Sequence, residues 1–275
     1  MSFQSWLDLN DPSLIPPLGG HHQPDLGTVA LMVSTAPDFR YIESNAGKIS
    51  FKQPFFLANL ILIEQDDKNP KKDINRKTDH ISSTDSISSK VAVTGPYLGA
   101  PSAVMLLESL IARGVSKVVV TGWCGAVSDE LQIGDILVPD AAICDEGASR
   151  NYMQMPKDTD FPTVLPSYKL SQKIESAFNC KTGKIWTTDA IYRETSKKIH
   201  FFRNMGAVAV EMECSALFAV ANYRKIDIAS ILIVSDTLTS NKWVPGFKEP
   251  AFKISRKNVL TTLINIVIKN DLLDL

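Results

Sequence analysis

Along the chain, short unbroken apolar runs alternate with stretches in which apolar residues recur every three or four positions, the pattern of buried strands interleaved with helices. Thr28 to Val33 is a run of the first kind, bounded by Gly27 and Ser34-Thr35, and predicts a buried first strand. Further strands are predicted at Ile49-Ser50-Phe51, Phe55 to Ile63, Val91 to Thr94, Lys117 to Thr121, Ile136 to Ile143, Gly183 to Trp186, Ala207 to Val210 and Ile228 to Val234. Helices are predicted over about Ser102 to Arg113, Ser167 to Phe178, Thr195 to Met205, Cys214 to Tyr223 and Phe252 to Ile268, with Gly114 and Gly206 at helix ends. Turns are read at Ala36-Pro37-Asp38 and Gly122-Trp123-Cys124-Gly125-Ala126, and a long loop at Asn151 to Pro166. With 275 residues, 44% of them hydrophobic, the chain accommodates one large α/β domain over 27–275. Two stretches break the pattern. Residues 1–26, punctuated by prolines and glycines, read as an N-terminal arm whose Trp6, Leu7, Leu9, Leu14 and Ile15 lie against a surface, and 66–90, rich in Asp, Lys, Asn and Ser, as a solvated polar insertion.

Composition narrows the partners. The 29 basic residues nearly cancel the 30 acidic ones, which points away from nucleic acid or an anionic membrane surface and toward a small molecule. No apolar run reaches the length of a membrane span, and the start carries no basic segment followed by an apolar core, so a cytoplasmic protein is expected. Cys124, Cys144, Cys180 and Cys214 form no CxxC pair and are expected to be reduced and mostly buried. His21-His22 has no acidic or cysteine partner at ligand spacing and reads as solvated loop, so neither metal nor cofactor is expected.

Chemistry concentrates where carboxylates interrupt apolar sequence. In Val208-Ala209-Val210-Glu211-Met212-Glu213-Cys214-Ser215-Ala216, two acids sit in a run that continues apolar to Ala221. Burying them requires donors, either backbone amides at a helix start or the hydroxyls of a ligand. Asp236, directly after the strand ending Val234-Ser235, faces the ligand edge of a parallel sheet or serves as a turn or cap residue. Ser34, Thr35, Asp38 and Arg40 stand beyond the first strand; Arg40 is an anion ligand or a solvated helix residue. The glycines at Gly95, Gly99, Gly122 and Gly125 admit an anion or simply allow tight packing.

Taken together, Gly95-x3-Gly99-x-Pro101-Ser102, Gly122-x-Cys124-Gly125-Ala126, Thr188-Asp189-x2-Tyr192, Val210-Glu211-Met212-Glu213 and Val234-Ser235-Asp236 resemble, in order and spacing, the purine nucleoside and uridine phosphorylase superfamily. That superfamily also holds methylthioadenosine/S-adenosylhomocysteine and AMP nucleosidases. The resemblance spans roughly Val29 to Leu238 and implies a three-layer α/β/α fold around a mixed, partly barrel-like sheet, assembled as dimers or trimers of dimers. It implies cleavage of a nucleoside's N-glycosidic bond, phosphorolysis being the default with inorganic phosphate as co-substrate. Glu211 and Glu213 then bind ribose, Met212 lies under the sugar, and Asp236 protonates the leaving base. Cys124, Gly125, Ile191, Tyr192, Arg193 and Glu194 line the base pocket, while Arg40, Gly95 and Trp123 lie on the phosphate or nucleophile side.

The chain also departs from that pattern. Val120 and Trp123 stand where phosphorylases carry an arginine and a serine or threonine for phosphate, which keeps a hydrolytic nucleosidase open with Asp38 as the nearest water-activating carboxylate. The family arginine downstream of the catalytic aspartate is missing, leaving Lys242 or Lys248 as substitutes. A non-catalytic nucleoside-binding or sensor protein is the third reading.

Overall fold

The computed structural model describes residues 9–17, 24–56, 58–64, 90–240 and 242–268. The arm is thus described in part, whereas Trp6, Leu7, His21, His22 and the insertion, apart from Lys90, lie outside the described residues. In chain order the elements are β1 (Val29–Val33), α1 (Ala36–Asn45), β2 (Ile49–Phe55), β3 (Ala58–Glu64), β4 (Lys90–Gly95), α2 (Ala100–Ile111), β5 (Lys117–Ala126) and β6 (Ile136–Asp145). There follow β7 (Thr163–Val164), α3 (Tyr168–Ala177), β8 (Lys181–Thr188), α4 (Ser196–Asn204), β9 (Ala207–Glu211), α5 (Cys214–Arg224), β10 (Asp227–Thr237), β11 (Val244–Pro245) and α6 (Pro250–Ile268).

The apolar runs form strands because both sheet faces are covered. Within β1, Ala30 and Met32 point into one core with Leu107 and Leu110 of α2 and Leu217 and Phe218 of α5. Val29, Leu31 and Val33 point into the other, with Ile42 of α1, Ile174 of α3 and Leu263 of α6. Three layers follow from that alternation. The sheet is mixed, ordered β11-β10-β6-β8-β9-β5-β1-β4-β3-β2, and β10 pairs with β5 as well. That extra pairing closes β5, β9, β8, β6 and β10 into a five-stranded barrel, from which β1, β4, β3 and β2 extend as an open wing.

Two expectations about turns are corrected. Gly122 to Ala126 is not a turn but the last half of β5, paired with β10 from Leu232↔Gly122 to Thr237↔Ala126. Its glycines are there because neighbours need their space: a Cβ on Gly122 would sit 2.4 Å from Ser34 Oγ, and one on Gly125 3.0 Å from Asp236 Oδ2. Ala36-Pro37-Asp38 likewise is the first turn of α1, with Thr35 as its cap and proline in the opening positions. The expected break between β2 and β3 shifts to Phe56, which takes a left-handed conformation at φ 55°. All four cysteines are free, Cys124, Cys144 and Cys214 buried and Cys180 half-buried, and no described helix is long and apolar enough to cross a membrane.

Candidate active site

Strand register assembles the site. Gly125 at the end of β5 pairs on one side with Val210 of β9 and on the other with Asp236 of β10. Glu211, one residue beyond Val210, pairs with Thr187 of β8. Three strands far apart in sequence therefore bring Val210, the residue before Glu211, and Asp236 to either side of one glycine.

Glu211 is 7% exposed and fully met by donors. Thr187 Oγ1 donates to Oε1 at 2.5 Å, while the backbone N–H groups of Glu213 and Cys214 donate to Oε2 at 2.6 and 2.8 Å. Those two amides open α5, so Glu211 does cap a helix, as the plainer reading of the sequence held. Burial still pushes its carboxyl above the usual range, against the pull of these donors. Glu213 is less enclosed and less fully met: the Gly99 N–H at the start of α2 donates to its Oε1 at 2.6 Å. Burial first, and then the charge of Glu211, push it up to about 8. The cluster therefore holds one well-satisfied carboxylate and one that retains acceptor capacity. Met212 between them is half-buried.

Asp236 is partly exposed at the end of β10. The Ser235 hydroxyl donates to Oδ1 at 2.6 Å, and the Trp243 indole N–H donates to Oδ2 at 2.9 Å. Burial raises its pKa while both donors oppose the rise. The group placed on this aspartate is thus Trp243, not Lys242 or Lys248, a correction that no local pattern signalled. Glu194 follows a short 3₁₀ turn, Ile191–Arg193, and is pushed up to about 7, first by burial and then by facing Asp236, with Lys198 opposing. Of the four residues 191–194 it is the one that is not exposed; Ile191 is 53% and Tyr192 97% exposed, and Arg193 is exposed as well. The Cys124 thiol is held neutral by burial and by the negative charges of Asp236 and Glu211.

The nucleophile side is built differently from the expectation. Asp38 is fully buried, accepts the Trp123 indole N–H at 2.7 Å and forms an ion pair with Arg256 of α6. Trp123 is turned onto the helix layer, edge-on to Phe252 at 5.0 Å and tilted against Phe247 at 5.9 Å. Asp38 is consequently committed to protein donors rather than open to a water molecule, which corrects its role as a candidate base. Arg40 is exposed on α1. Val120 is 3% exposed and packs in the core with α2 and α5. Gly95 is required by packing, since a Cβ there would lie 2.1 Å from the Val33 carbonyl oxygen. Among the described residues no group of three or more His, Cys, Asp or Glu side chains has the arrangement of a metal site.

A sequence model described as "Phosphorylase superfamily" matches residues 81–267, more than half of the chain. The chain belongs to the phosphorylase superfamily. A purine nucleoside phosphorylase DeoD-type of Buchnera aphidicola is 27% identical over 159 residues, covering 56% of this chain and 67% of that one. The purine nucleoside phosphorylase of Toxoplasma gondii superposes with a TM-score of 0.69 at 15% identity over 89% of this chain and 91% of the other. The AMP nucleosidase of Bacteroides thetaiotaomicron does so with a TM-score of 0.62 at 20% identity over 90% and 91%. These relatives of the phosphorylase superfamily are enzymes acting on nucleosides, and the likeness to the two structures establishes the three-layer fold with its barrel-like sheet.

Proposed function

We propose that this protein cleaves the N-glycosidic bond of a nucleoside with Asp236 as the acid. The observation that carries the reading is the register that brings the end of β9, at Val210-Glu211, and Asp236 of β10 to either side of β5 at Gly125, with Glu213 held at 2.6 Å by the Gly99 amide. Bond cleavage builds positive charge on the sugar and negative charge on the departing base, so ribose acceptors and a proton donor are needed at opposite ends of one bond. Glu213 accepts from a ribose hydroxyl, with Met212 beneath the sugar and Glu211 fixing the start of α5 behind them. Asp236, favoured in its protonated form by burial, gives its proton to the base. Glu194 meets the edge of the base, in a pocket completed by Ile191, Tyr192, Arg193 and the backbone of Cys124 and Gly125.

Phosphate is the nucleophile in this reading, in keeping with the relatives named as purine nucleoside phosphorylases, and enters on the side of Arg40, Gly95 and Trp123. No cofactor is required. One observation favours hydrolysis as the second reading: the positions expected to grip phosphate hold a core valine, Val120, and a tryptophan whose N–H is committed to Asp38, so a dianion finds no guanidinium there to offset its desolvation. The protein works in the cytoplasm as a homo-oligomer, either a dimer or a trimer of dimers.

The test is Asp236→Asn. It keeps the size of the side chain and the Trp243 contact while removing the transferable proton, and turnover of nucleoside is expected to fall by about 10²- to 10⁴-fold. A variant as fast as the parent removes Asp236 from the chemistry.

A further inference from the structure

Tyr97 is 6% exposed, lies in the turn between β4 and α2, and is held there by its N–H donating to the Ser34 carbonyl at 3.2 Å. Its hydroxyl is buried and has no hydrogen-bond partner. An unpaired buried hydroxyl is costly to keep, and apart from burial itself the carboxyl groups of Glu213 and, less strongly, Glu211 act on this one. Gly99, two residues further along the same turn, supplies the N–H that fixes Glu213. One short segment thus delivers both the clamp on Glu213 and an unused donor next to it.

A carboxylate has about four lone-pair positions, and Glu213 receives the Gly99 amide and faces the Met212 N–H, so acceptor capacity remains. An unused phenolic donor next to an acceptor with capacity to spare complements a group that accepts from the first and donates to the second. A hydroxyl does both at once, whereas an ammonium, a ketone or an ether does only one. We infer that Tyr97 belongs to the sugar subsite and, together with Glu213, holds one hydroxyl of the substrate's pentose, which makes the enzyme selective for sugars carrying that hydroxyl over the corresponding deoxy sugars. The inference rests on the nucleoside reading above and adds to it a substrate class, ribonucleosides rather than deoxynucleosides at that position, and a residue that enforces it.

Tyr97→Phe removes one oxygen atom and leaves the ring packing intact. Parent and variant are compared, with phosphate present, on adenosine and inosine and on their 2′-deoxy and 3′-deoxy counterparts. The expected result is a loss of about tenfold in kcat/KM on the ribonucleosides, the size of a hydrogen bond worth about 1.4 kcal/mol, and no further loss on one of the two deoxy series, because that series already lacks the partner of Tyr97. An equal fold loss on all substrates would mean that Tyr97 only packs, or pairs with a buried water, and overturns the inference. Should the parent cleave none of these nucleosides, the glycosidic reading fails, and the same comparison made on equilibrium binding by calorimetry decides Tyr97 separately. Coupling between the hydroxyl and the variant in binding supports the inference; uniform binding, or none, overturns it.

Discussion

Replacing Glu213 by glutamine isolates what the fold does to its carboxyl. Glutamine keeps the oxygen that accepts the Gly99 N–H at 2.6 Å but cannot ionise. In the folded parent, burial and the neighbouring Glu211 raise Glu213 from the ordinary 4.5 to about 8. Between those two values the native chain holds a proton that the unfolded chain has released, so stability falls as the pH rises through that window. At about 1.4 kcal/mol for each pH unit the ceiling is about 5 kcal/mol. Because Glu211 shares the repulsion and both groups can relax toward their donors, about 2 kcal/mol is the expected size. Urea unfolding of parent and Glu213→Gln at pH 5, 7 and 9 reads it directly. The parent's free energy of unfolding should drop by about 2 kcal/mol more than the variant's between pH 5 and pH 9, with most of the divergence complete by pH 8 to 9. Parallel pH profiles would show that Glu213 ionises in the folded protein as it does in water, and the desolvated cluster would be refuted along with them.

Two other substitutions separate the two ends of the site. Trp243→Phe deletes the indole donor on Asp236 and leaves an aromatic ring; since that bond favours the ionised carboxylate, its loss raises the pKa of the acid and moves the high-pH decline of kcat/KM upward, by a modest amount because Trp243 is 60% exposed. An unmoved pH–rate profile would detach Trp243 from the acid. Asp38→Asn leaves Arg256 without its counter-charge behind Trp123 and should lower stability by about 3 kcal/mol, the low end for breaking a buried pair, as a fall in Tm; an unchanged Tm with abolished turnover would instead place Asp38 on the nucleophile.

The three-layer architecture was legible because covered strands leave near-continuous apolar runs: Val29 to Val33 has no polar residue, and Ile228 to Val234 has only Ser230. Where glycine meets strand the reading failed. Gly122-Trp123-Cys124-Gly125 looks like a turn locally, yet it is extended because Ser34 and Asp236, brought in from other strands, occupy the space that side chains would fill. For Glu211 the sequence offered two partners, amides or ribose hydroxyls, and the geometry shows the amides. The plain rule for acids at helix starts accounts for the amides on Glu211, and the acid with fewer donors on it is the next one along, Glu213. Trp243 on Asp236 and Arg256 on Asp38 join residues 7 and 218 positions apart, and neither pairing leaves a periodic trace. Tyr97 carried no signal either, since its unpaired hydroxyl exists only once β4, α2 and α5 have packed.

The central claim is that these carboxylates cleave a nucleoside, and product analysis tests it most directly. The protein is incubated with a panel of purine and pyrimidine nucleosides, with and without inorganic phosphate, and the sugar and base products are identified. Free base together with ribose 1-phosphate, formed only when phosphate is present, is the predicted result. Free base with free ribose at equal rates in both conditions would move the reaction to hydrolysis and explain Val120 and Trp123. Nucleosides that bind and are recovered intact across the whole panel would contradict the account and leave a binding protein.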